Sequence, residues 1–256
     1  MYDNLKMEIN KVAIVTGGNR GIGLGITKRL VNSGYKVFIG SRNKPELTKE
    51  FDDKVFFQFT DVRNEEDHIK LVESTIRKFG KIDCYINNAG FSKWMPIDKI
   101  DDSFLSDIID TNLKGAFWGS KAASKYLKKG SSIINVSSIA GKRGSSNNSA
   151  YVASKFGMNG LTQSLAKELG PKGIRVNAVC PVLIATNGLI EALKTEYAPG
   201  NRNPEEFIST FTKNNSALNR MPTSIEVGDL CVFLASNSAS AITGQCINID
   251  CGVLPQ

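Results

Sequence analysis

The sequence predicts a parallel β-sheet covered by helices on both faces, built as one domain over residues 1–256. Three observations lead there. Short, continuous apolar runs recur, as strands buried on both faces require. Segments of helical period separate them. Glycine or small polar residues follow run after run, where such a sheet turns from strand to helix. The 256 residues, 41% of them hydrophobic, suit a single large domain with a substantial core.

The elements follow in order along the chain. Val12-Ala13-Ile14-Val15 is the first strand, and Leu24, Ile26, Leu30 and Val31 mark the helix after it. Residues 37–39 and 55–59 are the second and third strands. Ile69, Leu71, Val72, Ile76 and Phe79 trace the next helical stripe, and residues 82–86 are the fourth strand. A long helix near 103–128 precedes the fifth strand at 133–136. Another helix, near 150–169, precedes the sixth strand at 174–179. Residues 187–219 are polar, rich in Asn and weakly periodic, which reads as a lid or binding loop. A helix near 224–236 and a seventh strand at 246–249 complete the pattern.

Composition narrows the function. The net charge of +7 favours anionic ligands. Lys and Arg are spread along the chain rather than clustered, which argues against nucleic acid. No stretch approaches the roughly 20 apolar residues of a membrane span. The first residues lack the apolar core of a secretory signal, so the cytoplasm is the expected location. Five cysteines with no C-x-x-C and a single histidine offer no metal site. Cys84 and Cys231 read as small core residues. His68, among Asn64, Glu65, Glu66 and Asp67, reads as a solvated surface histidine.

In such sheets ligands bind beyond the carboxyl ends of the strands, and those positions carry the motifs. After the first strand comes Thr16-Gly17-Gly18-Asn19-Arg20-Gly21-Ile22-Gly23, which opens a helix. Its glycines allow close backbone approach, and the helix N-terminus offers N–H groups to a pyrophosphate. After the second strand comes Gly40-Ser41-Arg42-Asn43. It lacks the acid that would accept from the ribose hydroxyl of NAD(H), whereas Arg42, Ser41 and Arg20 suit a 2′-phosphate, favouring NADP(H). After the third strand comes Thr60-Asp61-Val62, where Asp61 can accept from an adenine amine. After the fourth come Asn87, Asn88, Ala89 and Gly90, small enough for a cofactor to pass. Ser138 follows the fifth strand, and Pro181, Ile184 and Thr186 follow the sixth.

Tyr151 and Lys155 stand four residues apart on one helical face. An ammonium beside a phenol stabilises the phenolate and predicts a lowered phenol pKa, the property of a group that exchanges a proton with an alcohol oxygen. Ser138, thirteen residues before Tyr151, can hold the same oxygen. Phe91, Ser92, Trp94, Met95, Lys142 and Arg143 are candidates for the substrate pocket. Trp94 could stack on a flat substrate or anchor its own loop.

The ordered motifs T-G-x-x-x-G-x-G at 16–23, D-V at 61–62, N-N-A-G at 87–90, Asn112, Ser138, Y-x-x-x-K at 151–155 and P-x-x-I-x-T at 181–186 resemble those of the short-chain dehydrogenase/reductase family. The resemblance runs from about Lys11 to Gly252. It implies a Rossmann-type doubly wound sheet of strand order 3-2-1-4-5-6-7, a homotetramer, and hydride exchange between NADP(H) and a ketone or secondary alcohol. It also implies roles: Tyr151 as acid/base, Lys155 lowering its pKa and holding the nicotinamide ribose, Ser138 orienting the substrate oxygen, and Asn112 holding a water in a proton relay. Ile184, by its backbone, and Thr186 would fix the carboxamide. Gly17, Asn19, Arg20, Gly21, Ile22, Gly23, Ser41, Arg42, Asp61, Val62, Asn88, Ala89, Gly90 and Pro181 would complete the cofactor site. Two departures stand out: Val182 replaces the family's usual Gly, and Asp250-Cys251-Gly252 replaces D-G-G. The alternatives are an NAD-linked alcohol, sugar or polyol dehydrogenase, a non-redox lyase on the same scaffold, and a nucleotide-sensing protein. The last two predict a damaged glycine turn or a missing Lys155, and both features are intact.

Overall fold

The computed structural model describes residues 11–44, 51, 53–200 and 203–255. Seven strands form one parallel sheet: β1 Val12–Thr16, β2 Lys36–Ser41, β3 Val55–Phe59, β4 Cys84–Asn87, β5 Ser132–Val136, β6 Arg175–Pro181 and β7 Cys246–Ile249. Their order, β3-β2-β1-β4-β5-β6-β7, is that of a Rossmann-type sheet. The chain departs from β1 to β2 and β3 on one side, then returns to β4 on the other, so a crevice opens between the carboxyl ends of β1 and β4.

The strand runs are largely apolar because both faces of the sheet are covered. Val15, Ile39, Ile86, Ile134 and Val179 pack on one side with Ile26 and Leu30 of α1 (Gly21–Asn32) and with Val227 and Leu234 of α8 (Ser224–Ala235). Ile14, Phe38, Tyr85, Ile133 and Val176 pack on the other, under α2 (Glu65–Phe79), α4 (Gly115–Ser124) and α5 (Ser149–Leu169). Cys84 and Cys231 are buried in these cores. β4 starts two residues later than the apolar run suggests, because Asp83 is spent as a bracket. Its Oδ2 accepts from Val12 N at 2.7 Å, and its own N donates to Val12 O at 2.8 Å.

Three expectations change. The single helix near 103–128 is divided into α3 (Asp102–Ile109), a π-helical turn at Asp110–Lys114, and α4. The amide of Asn112 in that turn is fastened to the Phe91 backbone, accepting from Phe91 N at 3.0 Å and donating to Phe91 O at 2.9 Å. Residues 187–219 hold two helices, α6 (Asn187–Leu193) and α7 (Pro204–Asn215), rather than irregular loop. Thr186 and Asn203 cap them, and Leu189, Ala192, Leu193, Phe207 and Ile208 bury against Trp94. The apolar positions are few because each helix is short and buries one side only. His68 is not on the surface: it is 0% exposed, on the side of α2 that also buries Leu71, Val72 and Thr75. Among the described residues no helix is long and apolar enough to cross a membrane.

α1 and α8 touch so closely that Gly25 faces the backbone and side chain of Ser224, with no room for a Cβ. Gly25→Ala must push the helices apart, at a cost of about 1–3 kcal/mol for overpacking. Thermal unfolding checks this, and an unchanged Tm would contradict the close contact.

Candidate active site

A cleft of about 1200 Å³ runs along the carboxyl ends of β1 to β6. Hydrogen bonds between two strand ends hold it open. Thr16 Oγ1 accepts from Asn88 N at 3.0 Å and Ala89 N at 3.1 Å. The Asn88 amide donates back to Thr16 O at 2.8 Å and Gly17 O at 3.3 Å. The glycine turn is thereby tied to the N-N-A-G turn. Gly17 lies at φ +64° and Gly21 at +54°, in the left-handed region that suits glycine. A Cβ on Gly23 would collide with the carbonyl of Gly17.

The walls bring together nearly every residue singled out in the sequence. Gly17, Asn19, Arg20, Gly21, Ile22 and Gly23 line one end, with Ser41, Arg42, Asp61 and Val62. Asn88, Ala89 and Gly90 lie midway. Ser138, Tyr151, Lys155, Pro181 and Ile184 line the other end, and Thr186 returns to lie against Gly21. Asn112 stands behind the wall, joining Phe91 to Ser154 Oγ, to which its amide donates at 3.1 Å. Phe91, Ser92, Trp94 and Arg143 reach the cleft; Met95 packs against Phe104 and Ile108 instead. Trp94 anchors the loop and α6–α7, since it is buried against Leu193 and Ala198. Val182, in place of glycine, lines the cleft and packs with Ile139, Phe211, Met221, Val253 and Leu254. The tail behind it is held by Asp250, whose carboxylate accepts from Gly252 N at 3.0 Å and Leu254 N at 2.8 Å. Cys251, between Asp250 and Gly252, lies at φ +55°, a conformation glycine would adopt more easily.

Two features escaped the sequence reading. Arg63 grips Asp61, with Nη2 to Oδ2 at 2.7 Å, and reaches Asp107 at 3.4 Å. Its hydrogen bond holds the Asp61 carboxyl below the usual range. Asp67 accepts from Asp61 N at 2.9 Å, fixing the peptide after β3. A cation two residues after the strand-end acid was the available signal.

At the other end Lys155 is 4% exposed, and its Nζ donates to Val136 O at 2.8 Å and lies 5.7 Å from the centre of the Tyr151 ring. Burial pulls the lysine down to about 8. The phenol departs from the lowered value expected of it. Burial pushes it up, and the hydrogen bond with Ser138 only opposes that. Desolvation is the largest influence on the phenol, while the Lys155 Nζ is spent on Val136 O. Ser138 Oγ also accepts from Ala140 N at 3.1 Å, which fixes where its hydroxyl stands.

A family model described as Enoyl-(Acyl carrier protein) reductase matches residues 17–254. The chain belongs to the short-chain dehydrogenase/reductase family. It is 35% identical, over 96% of its length and 98% of the relative's, to the 3-oxoacyl-(acyl-carrier-protein) reductase FabG of Chlamydia muridarum. It is 36% identical, over 96% and 99%, to a diacetyl reductase ((S)-acetoin forming) of Staphylococcus aureus. A variant of actinorhodin polyketide ketoreductase, solved with NADPH, superposes with a TM-score of 0.87 at 30% identity, covering 95% of this chain and 97% of that one. The chain is thus an oxidoreductase of a family that uses a nicotinamide cofactor and acts on carbonyls. Its own geometry fits such a group. The glycine cradle leaves space where a Cβ would intrude, and α1 begins with no side chain capping its N-terminal N–H groups, which suits a pyrophosphate.

The buried lysine has a cost that its pKa reveals. Below about pH 8 the folded and unfolded chains both carry the proton, and the folded one bears the desolvation. Between that value and the ordinary 10.5 the folded chain releases the proton first, so the cost fades as pH rises. Lys155→Met should therefore stabilise the fold at pH 7 by about 1–3 kcal/mol, with the gain shrinking towards pH 10. Thermal unfolding across that range checks it, and a lower Tm at pH 7 would contradict it.

Proposed function

We propose that this enzyme reduces a ketone to a secondary alcohol with NADPH, or runs the reverse. One observation carries the reading: Ser138, Tyr151 and Lys155 converge at one end of a cleft whose other end holds Arg20 and Arg42. The bound nicotinamide supplies or takes up the hydride. Tyr151 gives its phenol proton to the ketone oxygen while Ser138 donates a hydrogen bond to the same atom. Lys155, its Nζ fixed by Val136 O, holds the nicotinamide ribose. Asn112 serves the proton relay by fixing Phe91 and Ser154 rather than by its own amide, which is already engaged. The Ile184 backbone and Thr186 hold the carboxamide. Tyr151→Phe should lower kcat by at least about 100-fold while NADPH still binds; turnover near wild type would remove the proposed acid.

The cofactor preference rests on the residues after β2. Ser41, Arg42 and Arg20 border the cleft, and Gly40-Ser41-Arg42-Asn43 at the end of β2 carries no acid to repel a 2′-phosphate. The solved neighbour with NADPH agrees with this reading. Arg42→Ala should raise the KM for NADPH about tenfold or more, from loss of a charge-assisted contact, and leave that for NADH nearly unchanged. An equal change for both would count against the preference.

The substrate wall facing Ser138 is largely apolar, formed by Trp94, Val182, Leu189, Ala192, Phe207 and Phe211. That supports a ketone with an apolar flank, as the carbonyl-reducing relatives suggest, over a sugar or polyol. We read the chain as one domain in which residues 187–219 form the lid, latched by Lys99 Nζ donating to the Tyr197 hydroxyl at 2.6 Å. Phe117 on α4 and Phe156 on α5 are 49% and 47% exposed, which supports assembly through that face into a homotetramer. Five free thiols fit the reducing cytoplasm.

A further inference from the structure

Two buried polar rings meet behind the wall that faces the adenine end of the cleft. His68, on the first turn of α2, and Tyr85, on β4, are both 0% exposed. His68 Nδ1 lies 2.8 Å from the Tyr85 hydroxyl, and Nε2 lies 2.9 Å from Val62 O. A carbonyl can only accept, so Nε2 carries the hydrogen. In the neutral ring Nδ1 then accepts from Tyr85. Burial favours that neutral ring by pushing its pKa down. The result is one directed chain, from the Tyr85 hydroxyl through His68 to the Val62 carbonyl.

Packing alone does not call for this pair. Two apolar side chains would fill the space without the cost of desolvating polar groups. What the pair adds is a fixed Val62 carbonyl. Asp67, next to His68 on α2, fixes the Thr60–Asp61 peptide by accepting from Asp61 N at 2.9 Å. The first turn of α2 therefore grips the backbone on both sides of the Asp61–Val62 peptide just after β3, and both Asp61 and Val62 line the cleft. The other end of the chain is rooted in β4, which continues into the Asn88-Ala89-Gly90 wall. The pair thus sets the spacing between two strand ends that would flank an adenosine.

We infer that His68 is a positioning residue for the adenosine end of the cofactor, acting through Val62 and oriented by Tyr85. This rests on the reading of the cleft as an NADP(H) site. It touches no cofactor itself, so its effect belongs to cofactor affinity and not to chemistry at Tyr151.

The test compares the wild type with His68→Leu, His68→Gln and Tyr85→Phe. Binding of NADPH and of adenosine 2′,5′-bisphosphate is measured by calorimetry, alongside kcat and the KM of a ketone substrate at saturating NADPH. His68→Leu should weaken both ligands by the same factor, about five- to tenfold for a lost buried hydrogen bond, with kcat and the ketone KM unchanged. His68→Gln, whose amide can still donate to Val62 O, should recover most of the loss. Tyr85→Phe should show a smaller loss of the same kind, and it keeps the test alive if His68→Leu does not fold. Unchanged affinities, a loss confined to kcat or ketone KM, or no recovery by glutamine would overturn the inference. A wild type that binds neither ligand would overturn the cofactor reading itself and this inference with it.

Discussion

Thr16 and Asn88 splice the ends of β1 and β4 at the one place where the sheet reverses its winding. In a parallel sheet the two central strands leave in opposite directions, and nothing in the ladder fixes the turns beyond them. Here the hydroxyl and backbone of one end saturate the amide and backbone of the other. The glycine turn can then stay open without losing its shape. Everything downstream inherits that position: the start of α1, the crevice, and the wall that leads towards Ser138. A polar clasp does this where an apolar contact could not, because the groups to be held are backbone donors and acceptors.

The cleft is electrically divided. At one end Arg20 and Arg42 border open space, where charge is inexpensive and contacts with anions are screened. At the other a lysine and a phenol share a dry corner, each displaced by burial towards its neutral form. The division matches what the proposed reaction would ask of each end. Capturing a phosphate needs reach and positive charge. Moving a proton needs a narrow gap between two groups whose charged forms are both costly, so that small displacements of charge have large effects.

Most of this was legible in the sequence because it is written in short local patterns. The strands stand out as apolar runs closed by Gly, Ser, Asn or Thr, and the residues at their ends fall on one edge once the sheet is parallel. What was not legible depended on partners far along the chain. The π turn at Asn112 is dictated by the Phe91 backbone, twenty-one residues away, while the local pattern stays helical. His68 has acidic neighbours and reads as solvated, yet 68, 71, 72 and 75 share a buried side of α2. That spacing was the missed signal. The helices in 187–219 are short, and they pack on Trp94 from far back in the chain. The phenol's pKa went the other way because burial, unlike a neighbouring charge, cannot be read from spacing.

Val182 carries a consequence that its position beside the catalytic end hides. Its side chain leans on Val253 and Leu254, beyond the last strand, and on Phe211 and Met221 from the segment before α8. The shape of the substrate pocket is therefore written in two distant stretches of the chain as well as in the pocket itself. Changes around residue 253, with no contact to any reacting atom, can reset which flank of a ketone is accepted. Relatives that keep the same proton-transfer residues can in this way diverge in substrate through the folding of a short tail.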